Sequence, residues 1–282
     1  MSNRFSAIAL ATTSAALMLA LTACSGTADS DTAAAAPAAS TPTASTLAGG
    51  DGVLTIATSG TFRPITFSEG GTLTGYDIEV GTHIAEELGL EVEFVAGQLA
   101  GLLPGMNSGR FDAVMSGLTM TEERKKAITF SEPYLADGAV AATAAGNTEV
   151  SGVTDLTGMK VGVIGGSGTE DDIIALGGYA SLTAYPSAPE GFADVGAERI
   201  DLFAVGRIAT EDYIKNAPDG DKIKIAGDVY GIKPAGIGLP ADDTELKPLI
   251  DDIVNEMWED GSLQELQQKW FGFTIDREDT RP

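Results

Sequence analysis

The residues of this sequence best suited to chemistry lie in SGLTMTEERKKAITFSEPY, residues 116–134. This stretch follows FDAVM, whose apolar composition is typical of a buried strand. Ser116, Gly117 and Thr119 therefore fall in the loop at the carboxyl end of that strand. Ligands of open α/β sheets gather at this edge. The two hydroxyls and the flexible glycine predict a binding loop.

An arginine close behind this loop indicates what the loop would bind. Thr121 is placed as the N-cap of a helix, so free backbone N–H groups of the first turn are expected to point toward the loop. Arg124 adds a guanidinium, which can hold a carboxylate through two parallel hydrogen bonds. The pattern predicts a carboxylate site that needs no metal. The alternative interpretation is that Arg124 is one more exposed basic residue beside Lys125 and Lys126.

Composition excludes several classes of function. The chain has 282 residues, 43% of them hydrophobic, which is enough for one or two globular domains. Its 17 basic and 41 acidic residues give a formal charge of −24, which would repel nucleic acid and anionic lipid headgroups. One histidine and one cysteine cannot build the usual zinc site. We expect neither a metal nor a cofactor, and no nucleic-acid partner.

The first 23 residues are predicted to be a signal peptide. Arg4 precedes an apolar, alanine-rich stretch at residues 7–21. The following Leu-Thr-Ala-Cys resembles the lipobox of bacterial lipoproteins, which implies that Cys24 becomes a lipid-modified N-terminus. The alternatives are an ordinary secretory peptide with an incidental cysteine, and an uncleaved anchor, for which the apolar stretch is short. Residues 24–50 are small and polar, and we expect a lipidated, disordered tether.

Strand-like and helix-like segments alternate over the remainder of the chain. VLTIAT, EVEFV and FDAVM look like strands, and the segments between them show the i, i+3, i+4 apolar spacing of helices. A second series of the same kind starts near Val150, with KVGVI as its first strand. The rhythm predicts an α/β fold with parallel sheets in two lobes.

Several of these segments together resemble one family. G-x-T-x-T-x-E-R-K-K followed by F-S-E-P-Y is similar to the signature of the family 3 extracellular solute-binding proteins, the receptors of polar amino acid ABC importers. GTLTGYDIEVGTHIAEELGLEVEF, GRFDAVMSG, KVGVIGGSGTE and DGSLQELQQKWFGF resemble the family in the same order. The resemblance implies a two-lobe, type II periplasmic-binding-protein-like fold with a hinge of two crossing segments. It places lobe 1 at 51–140 and 236–273, lobe 2 at 141–235, and a flexible tail at 274–282.

The resemblance also implies positions for ligand contacts. Phe62 stands where the family carries an aromatic residue that packs on the ligand, and Arg63 beside it is a second cation near the site. Ser167 takes the place of the hydroxyl through which the second lobe bonds the ligand carboxylate. The expected ligand-binding set is Phe62, Ser116, Gly117, Thr119, Arg124 and Ser167.

Two departures from the family pattern leave the ligand open. Leu99 and Ala100 replace an aromatic residue and an aspartate, so a stacked aromatic sandwich is not expected, although Leu99 can line an apolar wall. Gly206 replaces the aspartate that receives the ligand's α-amino group, and a desolvated ammonium needs a compensating carboxylate. Either Glu170, Glu211 or another acid supplies it, or the ligand is a betaine, an ectoine-like solute, a cyclic imino acid or another non-standard amino acid derivative.

The implied function is a monomeric receptor on the outer face of the cytoplasmic membrane, attached through its lipid anchor only. It would bind a small carboxylate-bearing solute, first of all a polar amino acid, between its lobes. The closed state would then be recognised by the transporter, an ABC permease with its ATPase. The alternative from another class is a cyclohexadienyl dehydratase-like enzyme with Glu170 as general acid. An orphan sensor that reports to a membrane kinase would have the same sequence features.

Overall fold

The computed structural model describes Gly50 and residues 52–281. The expected signal peptide (1–23), Cys24 and nearly all of the expected tether (24–50) lie outside the described residues. Within the described part of the chain, no helix combines the length and the apolar composition that a membrane span requires.

The described residues alternate between strands and helices, as the sequence predicts. The strands are β1 (Val53–Thr58), β2 (Thr61–Phe62), β3 (Thr66–Glu69), β4 (Thr72–Thr74), β5 (Glu91–Ala96), β6 (Ala113–Val114), β7 (Thr129–Phe130), β8 (Leu135–Ala144), β9 (Lys160–Ile164), β10 (Ser181–Tyr185), β11 (Leu202–Gly206), β12 (Ile223–Ala235) and β13 (Gly238–Leu239). The helices are α1 (Tyr76–Leu88), α2 (Leu99–Asn107), α3 (Glu122–Lys125), α4 (Gly168–Leu176), α5 (Ala188–Gly196), α6 (Arg207–Asn216), α7 (Leu246–Asp260) and α8 (Ser262–Phe271). Short 3-10 helices cover Gly220–Lys222 and Arg277–Thr280.

Two five-stranded sheets form the cores of two lobes. The first has the order β5-β1-β6-β13-β7, and the second has the order β10-β9-β11-β8-β12. In the first sheet β1 pairs in parallel with β5 and β6, whereas β13 runs antiparallel to both of its neighbours. Leu54, Ile56 and Ala57 of β1 are all buried, as expected for a central strand with helices on both faces. The predicted two-lobe α/β fold is confirmed, with sheets that are mixed and not purely parallel.

The lobes are joined by a pair of long antiparallel strands. β8 follows β7 of the first sheet and enters the second, and β12 leads from the second sheet back to β13 of the first. The two strands pair from Leu135↔Ala235 to Ala144↔Ile223, with register shifts in between. The predicted lobe boundaries near residues 140 and 236 fall within β8 and just beyond β12, and they stay a prediction.

Three local features add detail to what the sequence predicts. The helix expected after Thr121 is the single turn α3, too short to present a helix N-terminus to a ligand. Asp77 lies buried in the first turn of α1, where its carboxylate accepts hydrogen bonds from Gly117 N and Tyr134 Oη. The tail expected to be flexible packs against β8 and β12 through its 3-10 helix, with Thr280 buried.

Candidate binding cleft

A cavity of about 80 Å³ lies between the two lobes and is walled by both of them. A single water molecule needs about 10–15 Å³ of such space, so the cavity has room for a small solute. Eight of the residues singled out from the sequence line this cavity: Phe62, Leu99, Ser116, Gly117, Thr119, Arg124, Ser167 and Gly206.

The lobes touch each other around this cavity. Phe62 and Leu99, from the first lobe, pack against an apolar cluster of the second lobe that includes Ile164 and Val205. Gly168, at the start of α4, lies so close to the first lobe that a Cβ atom there would stand 3.0 Å from Thr121 Cγ2. A larger residue at that position would require Thr119 or Thr121 of the first lobe to move.

Arg124 connects the two walls of the cleft. Its Nη1 donates to the carbonyl of Thr119 in the first lobe, and its Nη2 donates to the carbonyl of Gly166 in the second, both at 2.7 Å. Burial lowers the pKa of Arg124 below its ordinary value, while Asp171 opposes this shift. Arg124 forms no salt bridge with any of the described residues. A guanidinium has five N–H donors, so three remain to receive an anion.

The first-lobe loop is held in place by its own polar groups. Ser116 is buried, and its Oγ accepts a hydrogen bond from Ser59 N at 3.2 Å. The N–H of Gly117 donates to Asp77 Oδ2 at 2.8 Å, so this donor is already used within the protein. Thr121 Oγ1 accepts from Arg124 N at 3.2 Å, as its predicted capping role requires. The loop therefore offers hydroxyls and carbonyls, and Arg124 supplies the charge.

In the second lobe the start of α4 faces the cavity. Ser167 is its N-cap, and Ser167 Oγ accepts from Glu170 N at 3.1 Å. Gly168 and Thr169, the first residues of this nine-residue helix, also line the cavity. The first N–H groups of a helix have no partners within it, so they add donors for an anion near Arg124.

Arg63 does not line this cavity, contrary to its expected place near the site. Its Nε bonds Asp212 Oδ2 at 3.0 Å, and its guanidinium carbon stands 4.3 Å from the ring centre of Phe67. Arg63 belongs to the first lobe and Asp212 to α6 of the second. Arg63 is therefore an ion-pair link between the lobes outside the cavity.

The two acids named as substitutes for the aspartate absent at Gly206 also lie off the cavity. Glu170 Oε2 accepts a hydrogen bond from Gly166 N at 2.6 Å and does not line the cavity. Glu211 also lies off it, with Oε1 3.8 Å from Nε of Arg207. Neither carboxylate is placed to meet a solute held there.

Asp137, which sequence reasoning missed, brings a carboxylate into the cavity. It lies on β8, and its Oδ2 occupies the space that a Cβ atom of Gly206 would need. Its carboxylate accepts from Gly138 N at 2.9 Å and from Ile208 N at 3.4 Å. Desolvation raises the pKa of Asp137 to about 7, although these N–H groups and the charge of Arg207 act in the opposite direction. No sequence motif marks this residue.

A salt bridge that the sequence did not reveal lies in the same cavity as Asp137. Lys233 of β12 and Asp172 of α4 both line it, and Lys233 Nζ is 2.6 Å from Asp172 Oδ2. Lys233 is the register partner of Asp137 across β8 and β12, so the two side chains leave the same face of the strand pair. Across the described residues, no group of His, Cys, Asp and Glu is arranged to hold a metal ion.

The cleft thus combines a cation with three free donors, a carboxylate without a salt bridge and an apolar wall formed by Phe62 and Leu99. These groups can hold a small zwitterion, with its anionic end at Arg124 and its cationic end at Asp137. Residues of both lobes line this space.

Known proteins resemble this chain in sequence and in overall structure. The chain is 31% identical over 226 residues to the L-cystine-binding protein TcyJ of Escherichia coli strain K12, covering 79% of this chain and 84% of the relative. An ancestral arginine-binding protein bound to arginine is similar in structure, with a TM-score of 0.74, 33% identity, and coverage of 78% of this chain and 99% of that one. The ancestral amino acid-binding protein AncCDT-1, a precursor of cyclohexadienyl dehydratase, has a TM-score of 0.72 and 30% identity, covering 78% of this chain and 96% of that one. The model of the bacterial extracellular solute-binding proteins, family 3, matches residues 54–273, and the chain belongs to this family.

Proposed function

We propose that this protein is the extracytoplasmic substrate-binding receptor of an ABC importer and that it binds a small polar amino acid between its lobes. The observation that carries the proposal is Arg124, which bonds carbonyls of both lobes and keeps three donors for an anion. Family membership and the amino acid-binding relatives support the same function.

The carboxylate of the ligand binds at Arg124. The hydroxyl of Thr119, the hydroxyl of Ser167 and the first N–H groups of α4 surround the same end of the cavity and complete the anion site. Ser116 and Gly117 shape the loop through their hydrogen bonds to Ser59 and Asp77. These groups can hold the carboxylate of the ligand without a metal ion.

Ligand binding favours the closed arrangement of the lobes. A solute between them bonds groups of both lobes, whereas in an open cleft it can bond only one side. The differential affinity shifts the population toward closure. β8 and β12 are the strands along which the lobes would rotate, because the chain crosses between the sheets there. The closed form is what the transporter, an ABC permease with its ATPase, recognises.

The ligand is polar, because the cavity contains charges beyond those needed for a carboxylate. Asp137, Asp172 and Lys233 all line it, and an apolar side chain would leave them without water and without new partners. The relatives named above bind L-cystine or arginine. A betaine, an ectoine-like solute or another non-standard amino acid derivative is the alternative ligand class.

A thermal-shift screen tests this proposal directly. The panel is L-cystine, L-arginine, L-histidine, L-glutamine, ectoine and glycine betaine, each at high concentration. A ligand at 100 times its Kd adds about 2.7 kcal/mol of stability, which raises the Tm of a domain of this size by about 5–11 °C. A shift by a polar amino acid that is lost in Arg124→Ala supports the proposal. No shift by any amino acid, with a normal cooperative melt, would contradict it.

The second candidate function is enzymatic conversion of the ligand, as by a cyclohexadienyl dehydratase. The raised pKa of Asp137 in the cleft is the observation that favours it. A carboxyl group with its pKa raised to about 7 inside a cleft is suited to general acid catalysis. Glu170, the general acid expected from the sequence, does not line the cavity. We propose binding without turnover, so prephenate and arogenate should remain unchanged on incubation. Product formed by the wild type and not by Asp137→Asn would establish the enzyme instead.

The proposed location is the outer face of the cytoplasmic membrane, where a monomer is attached through lipid on Cys24. The lipobox-like sequence before Cys24 supports this proposal. Cys24→Ser should abolish labelling by radioactive palmitate and move the protein from the membrane fraction to the medium or the soluble fraction. Membrane retention equal to that of the wild type would contradict the lipid anchor while leaving the binding function untouched.

A further inference from the structure

We propose that Asp137 on β8 receives the ammonium group of the ligand, so that this receptor selects amines that carry N–H donors and rejects quaternary betaines. This inference rests on the proposed function, and it assigns the cationic end of the same cavity. Three observations support it: the absence of a salt bridge at Asp137, the space around Gly206, and the presence of Phe62 as the single aromatic residue among the described residues that line the cavity.

Asp137 is the cavity-lining acid that forms no salt bridge within the described residues, although the charge of Arg207 acts on it. Two acids, Asp137 and Asp172, line the cavity as the structure describes it, and Asp172 forms a salt bridge with Lys233. Asp137 forms no salt bridge with any described residue and depends on backbone N–H groups of Gly138 and Ile208. A half-buried carboxylate that has no salt-bridge partner is costly, and a ligand ammonium supplies a direct one.

The space around Gly206 is reserved for this carboxylate. Gly206 has φ −54° and ψ 142°, a backbone conformation that any residue adopts, so its backbone does not demand glycine. The obstacle to a side chain is Asp137 Oδ2, which a Cβ atom on Gly206 would overlap. The glycine at position 206 therefore leaves room for the aspartate at position 137. Moving the carboxylate from position 137 to position 206 tests its role.

The lining of the cavity indicates which kind of cation fits. A quaternary ammonium cannot donate a hydrogen bond and is recognised through the faces of several aromatic rings. Phe62 is the aromatic residue lining the described cavity. A carboxylate with free acceptor positions suits a primary or secondary ammonium, whose N–H groups it can accept.

The experiment uses isothermal titration at pH 8 with L-cystine, L-arginine, L-histidine, L-glutamine and glycine betaine. The variants are Asp137→Asn, Asp137→Ala, Gly206→Asp and the double variant Asp137→Ala/Gly206→Asp. Glu211→Gln is the matched control, because Glu211 lies near the same helix start but off the cavity. Circular dichroism and Tm of each variant without ligand confirm folding.

We expect the amino acid that binds the wild type to bind Asp137→Asn at least about thirtyfold more weakly. Glu211→Gln should stay within about threefold of the wild type. Gly206→Asp alone should bind weakly, because two carboxylates then compete for one space. The double variant should recover at least about tenfold over Asp137→Ala, because its single carboxylate returns to that space. Glycine betaine should not bind the wild type.

The outcomes separate the two proposals. A wild type that binds none of the amino acids overturns the proposed function and this inference with it. A wild type that binds one of them while Asp137→Asn binds it within threefold overturns only the inference. If Asp137→Asn fails to fold, recovery in the double variant decides, and a folded double variant no better than Asp137→Ala overturns the inference. Tight binding of glycine betaine also overturns it.

Discussion

Removal of the guanidinium of Arg124 is the perturbation that most directly tests how the cleft works. In Arg124→Ala the ligand carboxylate loses its charge partner, and the carbonyls of Thr119 and Gly166 lose a common donor. Breaking one side of a desolvated, hydrogen-bonded charge pair costs about 2–5 kcal/mol. Affinity should therefore fall by about 30-fold to 4,000-fold.

Arg124→Lys distinguishes charge from geometry. Three donors of the guanidinium are free while two hold the lobes. An ammonium has three donors in total and no planar fork, so it cannot satisfy both carbonyls and a bidentate carboxylate. We expect partial rescue, with affinity between those of Arg124→Ala and the wild type. The Tm without ligand should fall by a few degrees at most, because both carbonyls regain water when the cleft opens.

Lys126→Ala is the matched control for loss of a positive charge. Lys126 lies just beyond Arg124 at the end of α3, and its Nζ pairs with Glu123 at 3.2 Å on the surface. The assay is isothermal titration with the amino acid found in the screen, and stopped-flow kinetics give the dissociation rates. Lys126→Ala should bind like the wild type. An Arg124→Ala affinity within threefold of the wild type would refute a carboxylate site at Arg124.

Two further predictions concern pH and the contact between the lobes. The ligand ammonium favours ionised Asp137. Burial raises the pKa of this carboxyl group to about 7 in the free protein, against the opposing charge of Arg207, and Lys233 is its register partner. Affinity should therefore be full above about pH 8 and fall by about tenfold per unit below pH 7; titration from pH 5 to pH 8 measures this, and an equally steep fall in Asp137→Asn would assign it to another group. Arg63→Ala removes the ion pair with Asp212 between the lobes; such partly exposed pairs contribute about 0.2–1 kcal/mol, so the dissociation rate should rise by up to about fivefold, and a larger loss of affinity would mean that Arg63 contacts the ligand.

The sequence determined the parts of this protein that depend on neighbours along the chain. The period of the apolar residues fixes the strands and helices, and the motif at residues 116–134 follows a strand directly. The cavity is lined by Ser116, Thr119 and Arg124, and this could be predicted from the chain alone because loops at the carboxyl ends of strands converge on one edge of a sheet. Ser167 follows strand β9 of the second lobe and lines the cavity for the same reason.

Only the tertiary structure decided which acids and bases meet in the cleft. Asp137 and Lys233 are distant in sequence, and they share a face because β8 and β12 pair in one register. A slip of one residue would turn either side chain to the opposite face of the sheet. The links from Arg63 to Asp212 and from Lys233 to Asp172 likewise depend on the packing of separate elements. The carboxylate beside Gly206 could not be read from the chain, because its position follows from strand register and helix packing and not from local spacing.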